Sequence, residues 1–245
     1  DAQDAARQPP QRPAVRPVEH PAWSNLRLNE LRLIGTHNSY KTAAQPELLD
    51  LMRETGYDPS GIDYSHLSLT DQLNLGVRSF ELDVYHDPDG GRYADPLGER
   101  LLRARGVEPW ARPNARALER PGFKVLHEAD FDFGTHEPGL EETLAEFRRW
   151  SDRNPGHLPI IITMNAKASV RDLPGASQPA DFEVRTFDTL DEVISGALGD
   201  RLLTPDGVRG RERVLRDAVL QNGWPTVGES RGRFMFVLDH GGTYF

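Results

Sequence analysis

Two histidines and a pair of carboxylates, far apart along the chain, are the groups best placed to do chemistry. His37 ends the apolar run Leu31–Thr36 and is followed at once by Asn38; His127 ends the run that starts at Phe123 and is followed by Glu128, Asp130 and Asp132. Between them lies SFELDVYHD, Ser79 to Asp87, in which the period of two of a strand puts Glu81, Asp83 and Tyr85 on one face and Leu82, Val84 and His86 on the other. Two carboxylates two apart on an otherwise apolar strand are costly to bury unless a cation sits between them. Later, PIIITMNAK puts Asn165 and Lys167 on one strand face, from which both can enter the same rim. The chain has no cysteine, so a metal here must be held by oxygen or imidazole, and an oxygen donor set indicates Ca2+ or Mg2+. Asn38 then offers a neutral carbonyl and Glu81 and Asp83 the charged donors, with His37 and His127 as two imidazoles beside the ion. That assembly suits phosphoryl transfer in a phosphodiester: a base for the attacking oxygen, an acid for the leaving alcohol and a cation for the phosphate oxygens. Strand parity sets one condition, because His37 and Asn38 point oppositely unless the chain bends between them.

Plainer roles exist for the same residues. Glu81 and Asp83 could pair with Arg78 or Arg92 in a structural network, Asn165 could cap a loop, and Lys167 could be solvated. The other histidines, His20, His66, His86, His136, His157 and His240, read as structural or surface residues, and the acids after His127 read as loop residues.

Five segments read as buried strands: Leu31–Thr36, Ser79–Tyr85, Phe123–His127, Pro159–Asn165 and Arg233–Asp239. Helical patterns alternate with them. Residues 46–55 carry Leu48, Leu49, Leu51 and Met52 on one side; residues 68–76 show Ser/Thr capping chemistry and a glycine stop; residues 139–156 space Leu140, Leu144, Phe147 and Trp150 as a buried helical stripe; residues 189–203 repeat the pattern. Strands alternating with helices indicate a parallel α/β architecture, and polar groups at strand ends suit a TIM-type β/α barrel, whose site gathers at the carboxyl rim. A closed barrel needs eight strands; five are found, so the barrel is expected to be incomplete at its carboxyl end or the sheet open.

The 245 residues carry a net charge of −9, which argues against a general nucleic-acid binder. Residues 1–22 are polar and proline-rich and read as a disordered leader, of the kind that follows a signal peptide in a secreted or periplasmic protein. Residues 23–245 read as the catalytic domain, with an arginine-rich insert over 89–121. Between residues 91 and 120 stand seven arginines against four acids, a local excess of three positive charges that reads as an arginine-decorated solvated loop, with contact to an anionic headgroup as the alternative.

In order along the chain, LIGTHNSY, HLSLTDQLNLGVRSFELDVYHD, FKVLHEAD and HLPIIITMNAK resemble the motifs of the phosphatidylinositol-specific phospholipase C catalytic domain, in its bacterial Ca2+-dependent branch. The resemblance covers about Leu31 to Lys167. It implies a β/α barrel of the phospholipase-C-like phosphodiesterase kind and acid/base roles for His37 and His127. It also implies Ca2+ held by Asn38, Glu81 and Asp83, and cleavage of phosphatidylinositol-type lipids to diacylglycerol and a cyclic inositol phosphate. Asn165 stands where the family usually places a fourth, glutamate ligand, and its one lower charge should weaken the ion's affinity. The implied partners are a phospholipid or inositol-phosphate substrate and transient contact with a membrane surface; Lys167, from its place on the strand face, is the candidate contact to the substrate phosphate. A glycerophosphodiester phosphodiesterase and a non-catalytic phospholipid- or inositol-phosphate-binding module are the alternatives.

Overall fold

A computed structural model describes residues 21–169 and 172–239. The leader as far as His20, and also His240, lie outside the described residues. The centre is a four-stranded sheet in the order β2-β1-β3-β4, made of β1 (Ser79–Asp87), β2 (Gly122–Val125), β3 (Ile160–Lys167) and β4 (Phe234–Leu238). β1, β3 and β4 run parallel. No closed barrel is seen among the described residues; the sheet is open.

Two strand expectations change. The run Leu31–Thr36 forms only one isolated parallel bridge, Gly35 to Ser79, although Arg78 N donates to Ile34 O, Thr36 N to Ser79 O and Ser39 N to Glu81 O. The segment follows β1 without becoming a strand because its apolar side chains are only partly covered: Leu31 and Leu33 are half-buried and Ile34 is 74% exposed. The strand at Phe123 is real but antiparallel, with Asp87 opposite Gly122 and Val84 opposite Val125. The chain leaves β1 through Gly90 and Gly91, both at positive φ, and returns at Gly122. The arginine-rich insert is therefore a long hairpin connection, which joins antiparallel neighbours without a crossover.

Nor is that insert a solvated loop. It contains helix α3 (Leu97–Ala104) in a second apolar core with Tyr93, Leu118, Phe131 and α1 (Pro46–Glu54). Buried Glu99 pairs with Arg103 and Arg112, each at 2.7 Å, and the Arg112 guanidinium lies 5.4 Å from the Phe133 ring centre.

The main core lies between the sheet and the long helices α4 (Leu140–Arg153) and α5 (Val184–Leu198). The predicted stripe on α4 is buried, and Phe147 meets Phe80 edge-to-face at 5.1 Å between ring centres. α5 starts and stops earlier than its pattern suggested, because Glu183 and Thr186 form a capping box and Gly199, at φ 51°, ends the helix. Short α2 (Leu69–Asn74) is capped by Ser68, whose Oγ accepts from Asp71 N, and closes at Gly76. Three further short helices, α6 (Pro205–Arg209), α7 (Leu215–Asn222) and α8 (Val227–Ser230), lead to β4. Among the described residues no helix is long and apolar enough to cross a membrane.

Candidate functional site

The register of β1 and β3 builds the centre. Asp83 lies opposite Asn165 and Tyr85 opposite Lys167. Their shared face is the one that alternation assigned to Glu81, Asp83 and Tyr85, whereas Leu82 and Val84 fill the core behind. Asn165 Nδ2 donates to Glu81 Oε1 at 2.6 Å and to Asp83 Oδ1 at 2.9 Å. Lys167 Nζ sits 3.2 Å from Asp83 Oδ2. Arg78 and Arg92 are engaged elsewhere: Arg78 donates to the Leu73 and Val77 carbonyls and lies over Trp150, and Arg92 donates to Gln178 O.

Asn38 joins this centre through a bend. Its φ is 48°, in the left-handed region that asparagine tolerates better than most residues, and so the parity condition on His37 and Asn38 is met. The Asn38 backbone N–H donates to Glu81 Oε2 at 2.9 Å, its Nδ2 donates to Tyr64 Oη at 2.9 Å, and its Oδ1 accepts from Tyr40 Oη at 3.2 Å. Tyr40 is buried, and burial first, then the charge of Asp83, hold its phenol well above its ordinary pKa, so that it stays a neutral donor. His37 projects outward: its side chain is 74% exposed, with Nε2 3.4 Å from Glu81 Oε2 and Nδ1 3.2 Å from Tyr64 Oη.

His127 is held from the other side. Its Nδ1 is 2.7 Å from Oδ2 of the fully buried Asp132, whose Oδ1 is 2.9 Å from the ammonium of the equally buried Lys41. A carboxylate behind Nδ1 fixes the tautomer that carries its proton there and leaves Nε2 free to exchange protons. The turn supporting Asp132 is closed by Glu128, whose Oε2 accepts from Phe131 N at 2.6 Å, and by tight packing at Gly134, where a Cβ would come within 2.8 Å of the Thr42 carbonyl oxygen.

Asn38, Glu81, Asp83 and Asn165 thus form one bonded cluster, with His37 and Lys167 attached to it. His127 joins through a relay: Asp132 to Lys41, Lys41 Nζ to Tyr64 O at 3.1 Å, and Tyr64 Oη to His37. Sequence reading missed Lys41, Tyr64 and Asp132. It also gave His66 no part, yet His66 Nε2 lies 2.8 Å from the His37 carbonyl and His136 Nε2 lies 2.9 Å from the His66 carbonyl. His86 and His157 do keep structural places, packed against Phe123 and Trp150 respectively.

The donor chemistry can be tested against a divalent cation. Among the described residues, no group of three or more His, Cys, Asp and Glu side chains is arranged to hold one. Two carboxylates are present, and the amides of Asn38 and Asn165 adjoin them. The pair is met at present by the Asn165 amide nitrogen and the Lys167 ammonium, so positive or donor groups already converge where a cation would sit. Rotating the Asn165 amide by half a turn would offer its carbonyl oxygen instead, and with Asn38 this makes an all-oxygen set of the hard type that Ca2+ prefers. By donor type the residues fit the ion once the Asn165 amide is turned.

A cavity of about 80 Å3 beneath the insert is lined by Leu48, Trp110, Arg112, Phe131 and Phe133, and none of the predicted site residues lines it.

Comparisons with known proteins bear on the fold and the family of the chain. No curated protein matches the chain. Among solved structures, the calcium-dependent phosphoinositol-specific phospholipase C of the Gram-negative bacterium Pseudomonas sp. is similar at 18% identity with a TM-score of 0.53, covering 91% of this chain and 60% of that one. A myoinositol complex of the Pseudomonas protein is similar at 18% identity and a TM-score of 0.52, covering 90% and 60%. At this identity the likeness is one of fold, and the chain spans about 60% of the length of those relatives. The family pattern described as "phosphoinositide phospholipase C, Ca2+-dependent" matches residues 26–244, which is most of the sequence: the chain belongs to the Ca2+-dependent phosphoinositide phospholipase C family.

Proposed function

We propose that this chain is a Ca2+-dependent phosphodiesterase that cleaves phosphatidylinositol-type lipids to diacylglycerol and a cyclic inositol phosphate, at a membrane surface and outside the cytoplasm. The observation that carries the reading is the Asn38–Glu81–Asp83–Asn165 cluster with an imidazole attached and a second imidazole held by its own buried carboxylate. Family membership supports it, and the myoinositol complex of the similar Pseudomonas protein supports the choice of headgroup.

In this mechanism one imidazole takes the proton of the inositol 2-hydroxyl as its oxygen attacks the phosphorus, and the other gives a proton to the departing diacylglycerol oxygen. His127 is prepared for such a role by Asp132, which stabilises the imidazolium while the ring carries the extra proton. His37 is oriented by Tyr64, whose hydroxyl accepts from Asn38 and can donate to His37 Nδ1, leaving the Nε2–H directed at Glu81. Asn38, Glu81, Asp83 and Asn165 would hold Ca2+, which supplies positive charge to the phosphate oxygens as they gain negative charge. Lys167, whose ammonium lies 3.2 Å from Asp83 Oδ2 at the edge of the cluster, would be the residue to contact the phosphate.

The test is a calcium-titrated turnover assay on phosphatidylinositol vesicles with a chelator control. Cyclic inositol phosphate formed only with calcium is the expected product. Glycerol phosphate would indicate a glycerophosphodiester phosphodiesterase, and calcium or lipid binding without any product would indicate a non-catalytic module.

A further inference from the structure

A lysine buried to 0% exposure needs a reason, because stripping water from an ammonium is expensive and an apolar side chain of similar size would pack there without the cost. Lys41 meets that cost with four contacts. Its Nζ is 2.9 Å from Asp132 Oδ1, donates to Tyr64 O at 3.1 Å and to Thr42 O at 3.3 Å, and lies 4.9 Å from the centre of the Tyr64 ring. Each of its two side-chain neighbours in turn touches one of the two histidines: Asp132 Oδ2 at His127 Nδ1, and Tyr64 Oη at His37 Nδ1. Neither the composition nor the motifs bring Lys41, Tyr64 and Asp132 together; they are 23 and 91 residues away from one another along the chain at their nearest and farthest.

We infer that Lys41 is a positioning residue for both imidazoles: its ammonium fixes Asp132 behind His127 and Tyr64 behind His37, so that one buried group sets the geometry of the pair. Its ammonium stands apart from the two carboxylates of the oxygen cluster, touching neither Glu81 nor Asp83. The catalytic consequence rests on the function proposed above; the structural hold on His127 does not. Lys41→Met removes the charge while keeping the unbranched stem, and it frees the Asp132 carboxylate to rotate or to draw in water. Such loss of support around a reacting group typically lowers turnover by roughly 10–100-fold.

The experiment combines nuclear magnetic resonance with kinetics on the full chain. In the wild type, the His127 Nδ1 proton, shared with a buried carboxylate, is expected as a strongly deshielded, slowly exchanging ring resonance. In Lys41→Met that resonance is expected to disappear or move, with kcat on phosphatidylinositol lowered roughly 10–100-fold and KM within about twofold of wild type. A folded Lys41→Met chain with the wild-type His127 resonance overturns the inference. Should the single variant fail to fold with Asp132 left unpaired, Lys41→Met/Asp132→Asn removes both charges together. A folded double variant with wild-type kcat also overturns the inference, whereas one as slow as Asp132→Asn alone supports a shared action. If the wild-type chain turns over no phosphatidylinositol, the proposed function fails, and the resonance alone still decides whether Lys41 holds His127.

Discussion

Asp83 and Asn165 face each other across the parallel register of β1 and β3, and the asparagine gives its amide hydrogen, not its carbonyl, to the aspartate at 2.9 Å. The position that would complete a three-carboxylate cage is therefore filled by a neutral group that bridges Asp83 to Glu81. Asn165→Asp should reverse both properties. Without calcium, three carboxylates repel and the melting temperature falls. With calcium, affinity rises on the order of tenfold and the melting temperature recovers past that of the wild type. Calorimetric titration and thermal melts in chelator and in calcium check this; an unchanged affinity would remove Asn165 from the ion's surroundings.

The Asp132 carboxylate at His127 leads to a second expectation. Asp132→Asn keeps the shape but can present an N–H to the ring, favouring the wrong tautomer, and should lower kcat by roughly 10²–10⁴-fold. His127→Ala and His37→Ala should each abolish measurable hydrolysis of phosphatidylinositol while far-ultraviolet circular dichroism stays that of the wild type. Turnover at the wild-type rate in either alanine variant would remove that histidine from the mechanism.

His157 supplies a pH dependence of stability. It is buried beside Trp150 and Phe234, donates from Nδ1 to the Leu158 carbonyl and has Nε2 2.8 Å from Ser151 Oγ, which can donate to the neutral ring. Burial pulls its pKa down to about 4. From the ordinary value of about 6.5 down to about 4, the unfolded chain takes up a proton that the folded chain refuses, so this contribution is complete above the window and is lost as the solution is acidified through it. The full span is roughly 3 kcal/mol. His157→Gln should flatten the dependence, so that the gap in melting temperature between wild type and variant narrows from about pH 7 to about pH 4.

Asp130 fastens the insert to the rest of the molecule. The side chain is 1% exposed, and its two oxygens accept from Leu97 N at 2.9 Å, Ser177 N at 2.8 Å and Ser177 Oγ at 2.9 Å. Asp130→Ala strands those donors and should cost about 2–4 kcal/mol, measured by urea denaturation. Hydrogen exchange should quicken first over residues 97–104 and 173–178 while α4 keeps its protection.

The segments that read most clearly from the sequence were those whose apolar residues face a core from both sides. Ile160 and Ile162 announced β3, Phe80 and Leu82 announced β1, and the Leu140–Trp150 stripe announced α4. Leu31–Thr36 misled because apolar composition says nothing about whether a cover exists, and here Ile34 has none. The direction of β2 was hidden by an insert containing a helix, which looks like a crossover in one dimension although the strands are hairpin neighbours in three. At the site, the strand-borne groups Glu81, Asp83, Asn165 and Lys167 were legible through parity. Asn38 was legible only as a condition on the backbone, which its positive φ meets. Lys41, Tyr64 and Asp132 arrive on loops, where no period reports orientation. One signal did exist for the first of them: the chain has only three lysines, Lys41, Lys124 and Lys167, against 26 arginines. A residue so sparingly used is not serving as generic surface charge.

Each of those lysines sits beside an aspartate: Lys41 at Asp132, Lys124 at Asp87 and Lys167 at Asp83. Their side chains are 0%, 2% and 29% exposed. An amine-reactive dye or a cross-linker offered to the native chain therefore finds one lysine within reach, and it is the one at the mouth of the acidic cluster. Coupling through lysine would seal this molecule at its site, whereas arginine- or carboxylate-directed chemistry would scatter over the rest of the surface.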